Sequence, residues 1–106
     1  MATRRLAVTA VTNDALSDQD IRTVEVPSVV NLWASSVTNG DQIGLRLDKT
    51  IIMDDGELNI ESSADVIDAD RDHMVFHTVV GRGTLRVPIP TVTTEVQFMI
   101  SVEPIL

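Results

Sequence analysis

The clearest strand pattern in the chain is VTTEVQFMISV, residues 92–102. Every second residue from Val92 to Val102 is apolar except Thr94, and the residues between them are mostly polar. A period of two over this length is typical of a β-strand and not of a helix. The sequence therefore predicts a strand with one face on a core. Pro104 predicts its end, because proline has no N–H to donate to a ladder.

The composition of the whole chain agrees with this stretch. Val, Ile and Thr make up 35 of the 106 residues, whereas the chain has no Cys, no Tyr, one Lys and two His. β-Branched side chains are stiff and pack well on a pleated surface. Catalysis draws mainly on His, Cys, Lys, Tyr or paired carboxylates. We therefore expect an all-β scaffold that is not an enzyme.

Short β-capable runs recur along the chain, separated by residues typical of turns. They predict about eight short strands in a single domain, residues 1–106, folded as a small antiparallel β-sandwich. A jelly roll is among the topologies that the pattern allows. Residues 1–12 are predicted to form either an arm or an edge strand, and residues 13–20 a loop or a single helical turn. The β-capable runs are residues 6–11, 21–26, 29–37, 42–47, 50–53, 57–60, 73–80, 84–89 and 92–102.

Three Gly-containing segments lie between consecutive runs and are predicted to be hairpin turns. Asn39-Gly40 supplies the positive φ angles of a tight turn, with a somewhat longer loop around it. Residues 54–56, DDG, predict a second hairpin, and residues 81–83, GRG, predict a third.

The chain is acidic, with a formal net charge of −8. Its basic residues are scattered apart from the pair Arg4-Arg5, whereas nucleic-acid binding needs clustered Lys and Arg. Neither nucleic acid nor an anionic membrane is therefore expected as a partner. The apolar run after Arg5 is too short for a signal peptide, and no stretch approaches the roughly 20 apolar residues of a transmembrane helix. We expect neither a signal peptide nor a transmembrane helix.

Residues 54–72 carry eight of the sixteen acidic residues. Within them, Asp68, Asp70 and Asp72 have the spacing that opens an EF-hand loop. The rest of that loop fails, because His73 stands at the glycine position and Val79 at the position of the bidentate Glu. The segment is interpreted as a solvated acidic loop, with a looser calcium site or an electrostatic contact to a basic partner as the alternatives. No cofactor is expected.

The two histidines, His73 and His77, are four residues apart in a β-rich run. On a strand this spacing places them on one face but roughly 13 Å apart, which is too far for one metal ion. They are interpreted as ordinary strand residues.

Six residues are the candidates for an interface. Trp33 is the only tryptophan and lies on the face opposite Val30 and Leu32, so it is either a second-layer core residue or a contact anchor. Met99 lies in the same way on the polar face of the last run. Arg4 and Arg5 oppose the charge of the body, and the apolar end Ile105-Leu106 calls for burial in the sandwich or against a partner. The candidates are Trp33, Met99, Ile105, Leu106, Arg4 and Arg5.

In size and strand pattern, the chain resembles the capsid decoration (cement) proteins of tailed bacteriophages. The local cues are VNLWASSVTNGD, residues 30–41, and the closing strand that ends at Leu106. The resemblance implies a non-enzymatic protein of the virion that binds a capsid protein on the outside of the shell, as a trimer or singly, and stabilises it. It implies no catalytic residues.

Two other classes of function remain open at this point. One is a small ligand- or calcium-binding β-module, such as an adhesin or lectin-like domain. The other is an accessory domain of an enzyme, which would contain a concave pocket with a perturbed titratable group.

Overall fold

Eight strands and one turn of 3₁₀ helix form in the residues that the computed structural model describes, which are 2–36, 40–58 and 74–105. The 3₁₀ turn spans Asp20–Arg22. The strands are β1 (Ala2–Val8), β2 (Thr23–Val24), β3 (Ser28–Ser36), β4 (Gln42–Leu47), β5 (Thr50–Glu57), β6 (Met74–Val80), β7 (Gly83–Arg86) and β8 (Val96–Pro104).

The strands form two antiparallel sheets of four. The first sheet has the order β1-β8-β3-β6 and the second the order β2-β7-β4-β5. The pairs β1 with β8, β2 with β7, β3 with β6 and β4 with β5 are nested, as in one long hairpin that has been rolled up. This is the jelly-roll arrangement of an eight-stranded sandwich. The predicted small antiparallel β-sandwich is confirmed.

The core lies between the two sheets and is aliphatic apart from Phe98. The apolar face predicted for the last strand lies on this core, because Val96, Phe98, Ile100 and Val102 are buried there, although Met99 and Ser101 on the other face are buried as well. Burying such a side chain stabilises a fold by about 1.5–3 kcal/mol. Both sheets and the connections between them contribute to this one core, whose other members are Leu16, Ile21, Val24, Val30, Leu32, Ala34, Ile43, Leu45, Leu58, Val80, Leu85, Val87 and Ile89.

Two of the predicted hairpins are wrong, because the strands on either side of each turn belong to different sheets. Asn39-Gly40 stands between β3 of the first sheet and β4 of the second. Gly81 and Arg82 connect β6 of the first sheet to β7 of the second, which begins at Gly83. Gly40 does have the positive φ, 92°, that the sequence predicts. Gly40 therefore belongs to a connection that crosses from one sheet to the other, and not to a hairpin within one sheet.

The third predicted hairpin is also wrong. Residues 54–56 lie inside β5, whose pairing with β4 shifts register at two places. The chain instead reverses direction before β5, at Asp48 and Lys49, which connect Leu47 of β4 to Thr50 of β5. Asp48 takes the positive φ of this turn, 53°. Its carboxylate accepts a hydrogen bond from Thr84 N–H at 3.1 Å, which ties the turn to β7.

Strand boundaries at the two ends of the chain differ from the sequence prediction. The last strand begins at Val96 rather than residue 92, and it continues to Pro104. Residues 92–95 have irregular backbone. At the other end, β1 begins at Ala2 and pairs along its whole length with β8, so it is an edge strand of the first sheet.

Candidate functional site

The interface candidates divide between the two faces of the first sheet. Arg5, Met99 and Trp33 stand directly opposite one another on β1, β8 and β3, so they share the outer face. Arg4 stands opposite Ile100 and therefore shares the inner face. The side chains of Arg4 and Arg5 therefore lie on opposite faces of the first sheet.

Trp33 and Met99 form a small cluster of their own outside the main core. Their exposed fractions are 7% and 2%. In the isolated chain the two side chains therefore form a second buried layer on the outer face of the first sheet and expose almost no surface to solvent. The indole N–H of Trp33 is buried, and no hydrogen-bond acceptor reaches it in the structure as described. Whether either residue contacts a partner stays a prediction.

A polar row runs beside this cluster on the same outer face. His77 Nδ1–H donates to Asn31 Oδ1, and Asn31 Nδ2 donates to Ser101 Oγ at 3.3 Å. A nucleophilic triad places the histidine between the serine and the carboxylate or amide. Here the amide stands between the other two, so the row orients side chains and does not activate Ser101.

Arg4 joins the edge of the first sheet to the 3₁₀ turn. Its Nη2 donates to Asp20 Oδ1 at 2.8 Å, and its Nη1 donates to the carbonyl of Thr3 at 2.9 Å. Asp20 is exposed, so this ion pair lies at the surface, where such pairs contribute about 0–1 kcal/mol.

A cavity of about 350 Å³ opens beside this ion pair, between the edge strands β1 and β2. Its volume falls at the lower end of the range typical of ligand pockets, about 300–1,000 Å³. Its exposed wall is mostly apolar, and its polar lining residues are Arg4, Asp20, Thr23, Glu25 and Ser28. The apolar lining consists of Ile21, Val24, Val26, Val102 and Pro104. We call this cavity the edge groove.

The exposed apolar residues near the chain end lie at one end of the first sheet. Ile105 is 51% exposed and is held by a hydrogen bond from its N–H to the carbonyl of Pro27 at 3.1 Å. Val26 precedes this proline and is also exposed. Val79 stands opposite Val29 on β3 and is exposed on the outer face. Leu106 lies outside the described residues.

Sequence reasoning missed Asp41, which is fully buried although it follows a turn signal. Its Oδ2 accepts from Ser36 Oγ at 2.6 Å, and its Oδ1 accepts from both N–H and Oγ of Thr93 at 3.0 Å. Its own carbonyl accepts from Leu58 N–H at 2.9 Å. These contacts link Asp41, in the connection from β3 to β4, to Leu58, directly after β5, and to Thr93, in the connection from β7 to β8. The carboxylate accepts hydrogen bonds from two hydroxyl groups and one backbone N–H.

The predicted metal candidates Asp68, Asp70 and Asp72, and also His73, lie outside the described residues. Among the residues that the structure does describe, no group of three or more His, Cys, Asp or Glu side chains could hold a metal ion. The same part of the chain contains no helix that is long and apolar enough to cross a membrane.

Comparison of the chain with protein-family models, with curated proteins and with solved structures finds no match in any of the three.

Proposed function

We propose that the protein is a non-enzymatic structural component of a virus particle, a decoration or cement protein that binds the outside of a capsid and stabilises it. The observation that carries the proposal is the edge of the first sheet. There, a long basic strand borders an apolar groove on a body of net charge −8. Such an edge is suited to joining another chain.

The rest of the molecule supports a scaffold rather than a reaction centre. The reactive side chains that the structure describes are dispersed. His77 and Ser101 are both hydrogen-bonded to the amide of Asn31, and the Asp41 carboxylate accepts hydrogen bonds from two hydroxyl groups and one backbone N–H. A rigid sandwich that contacts two neighbouring shell subunits at once binds only the assembled shell. By mass action it therefore stabilises the assembled shell. We propose a capsid protein as the partner and a homotrimer as the assembled form.

Deletion of the coding sequence from the viral genome tests this function. We expect wild-type particles to contain the chain in a fixed ratio to the shell protein, and we expect deleted particles to melt at a lower temperature in calorimetry. Adding the purified protein back should restore the melting temperature. Particles that lack the chain, or that melt identically with and without it, would overturn the proposal.

A small ligand-binding module is the second candidate, and the volume and apolar lining of the edge groove favour it. This alternative predicts that a small apolar ligand raises the melting temperature of the isolated protein. The decoration function predicts instead that the protein is stabilised by the assembled shell.

A further inference from the structure

We propose that an apolar patch around Glu103, at one end of the outer face of the first sheet, binds a segment of the partner protein in which an arginine stands between apolar residues. This inference rests on the proposed function and names a surface through which attachment takes place. Three features of the described residues carry it: the apolar side chains gathered there, the carboxylate among them and the charge of the whole chain.

The register of the first sheet builds the patch. Val29 of β3 stands directly opposite Val79 of β6 on one side and Glu103 of β8 on the other, so the three side chains share the outer face. The pairing of β3 with β8 continues beyond the strands, where Ile105 N–H donates to the carbonyl of Pro27. Each of these two residues lies two positions from the Glu103–Val29 pair, so alternation puts both on the same face. We call the five residues the Glu103 patch.

Exposed apolar side chains are concentrated at this end of the molecule. Val79 is 58% exposed and Ile105 is 51% exposed, and Val26, which directly precedes the patch in sequence, is 47% exposed. In the part of the chain that the structure describes, the other large apolar residues that are exposed are Val11 and Ile51. Contiguous apolar residues on a surface mark a site of contact with another molecule, whereas single ones do not.

The carboxylate of Glu103 selects the chemistry of the occupant. It is exposed, and no described residue donates a hydrogen bond to it or forms an ion pair with it. An arginine guanidinium binds a carboxylate through two parallel N–H donors, and the stem of its side chain packs on apolar surface. Apolar contacts around such a pair exclude water, which strengthens the attraction between the two charges.

The basic residues near this end of the sheet leave Glu103 available. Arg5 shares the outer face but stands opposite Met99, which is four residues and roughly 13 Å along β8 from Glu103. Arg82 lies at the second sheet, where it lines a cavity together with Glu25. A cation for Glu103 therefore has to come from a partner.

Charge also argues against a second copy of this chain as the occupant. In a twofold pair the same patch faces itself. Two Glu103 carboxylates would then meet between two bodies that each carry a net charge of −8. A basic segment of another protein is instead attracted to the same body. The partner's apolar segment with a central arginine is therefore the occupant that fits.

The probe for the charge is a short fluorescent peptide in which leucine and arginine alternate. We expect fluorescence anisotropy to show saturable binding by the full-length protein, and binding about fivefold weaker after Glu103→Gln. The matched control is Glu57→Gln, which makes the same change at the exposed last residue of β5, in the other sheet. It should leave the affinity nearly unchanged. A leucine–glutamate peptide should bind Glu103→Arg better than the wild type, which keeps the test valid if a substitution alters stability.

A second pair of variants tests the apolar part of the patch with the same peptide. Val79→Thr keeps a β-branched side chain but replaces a methyl group by a hydroxyl, and we expect it to weaken binding about threefold. The matched control is Val11→Thr, because Val11 is 62% exposed and lies outside the patch. A serine–arginine peptide of the same charge should bind more weakly than the leucine–arginine peptide.

Four results would overturn the inference. Equal losses after Glu103→Gln and Glu57→Gln would show a general attraction to an acidic chain. Equal losses after Val79→Thr and Val11→Thr, or no saturable binding at about 1 mM peptide, would show that the patch is not a docking surface. A dimer in light scattering that Val79→Thr dissociates would identify a second copy as the occupant.

The outcomes separate this inference from the proposed function. Incorporation of Glu103→Arg protein into particles at the wild-type ratio contradicts the docking surface alone. Peptide binding at the Glu103 patch by a protein that is absent from particles contradicts the capsid function.

Discussion

Substitution of the buried carboxylate of Asp41 should lower the stability of the whole sandwich. Three hydrogen bonds reach this side chain from Ser36 and Thr93, at 2.6 to 3.0 Å. Hydrogen bonds to charged groups contribute about 1.5–3 kcal/mol each, but part of that sum is recovered in the variant. Ser36 Oγ already lies 3.3 Å from the carbonyl of Glu95, and the hydroxyl of the exposed Thr93 can turn to water.

The N–H of Thr93 is then the donor left without its acceptor, at a cost of about 1–3 kcal/mol. Removal of a buried charge returns some desolvation energy. We therefore expect Asp41→Ala to lower the free energy of unfolding by about 2 kcal/mol, out of the 5–15 kcal/mol typical of a domain. Asp41→Asn retains one acceptor oxygen for Thr93 and should cost about half as much.

Urea denaturation followed by the fluorescence of Trp33 measures both effects, because this single, buried tryptophan reports on unfolding. Asp18→Ala is the control. This carboxylate is exposed and accepts one hydrogen bond, from Gln19 Nε2, so the change should cost less than about 0.5 kcal/mol. If Asp41→Ala remains within about 1 kcal/mol of the wild type, the buried carboxylate does not fasten the connections and the reasoning is refuted.

Three further substitutions test other parts of the fold. Phe98→Ala should cost about 3–5 kcal/mol by leaving a cavity in the core, with the urea midpoint as the readout; a loss below about 1.5 kcal/mol would contradict the central position of this ring. Gly44→Ala should cost about 1 kcal/mol, because its Cβ would displace the ion-paired ends of Asp55 and Arg46, and a double-mutant cycle with Asp55→Ala should recover part of the loss. His77→Gln should change the melting temperature by no more than a degree or two, and a large drop would show that the polar row of the outer face is structural.

The sequence predicted the strands well and their partners poorly. The alternation of residues 96–102 specifies which face is buried, because a strand can bury only one set of alternate side chains on a core. A turn signal such as Asn39-Gly40 specifies local backbone angles and nothing about the sheet that the chain enters next. A hairpin turn and a connection between the two sheets can use the same residues at this position. In a jelly roll most pairings join residues far apart in sequence, so local patterns leave them open.

The candidate site was predictable to a similar degree. Alternation alone places Arg4 and Arg5 on opposite faces of a strand, and the sequence predicts an arm or an edge strand for residues 1–12. The ion pair of Arg4 with Asp20 and the groove beside it depend on how the 3₁₀ turn approaches the first sheet. Burial of Met99 on a face that the sequence marks as polar likewise depends on its cross-strand neighbour Trp33.

An electron cryomicroscopy map of the virus particle shows whether the protein is attached to the shell and through which surface. We expect additional density on the outside of the shell that fits the jelly roll, with the edge of the first sheet at β1 in contact with the shell protein. Density in which the chain is absent, or in which β1 faces solvent while another surface contacts the shell, would overturn the proposed function.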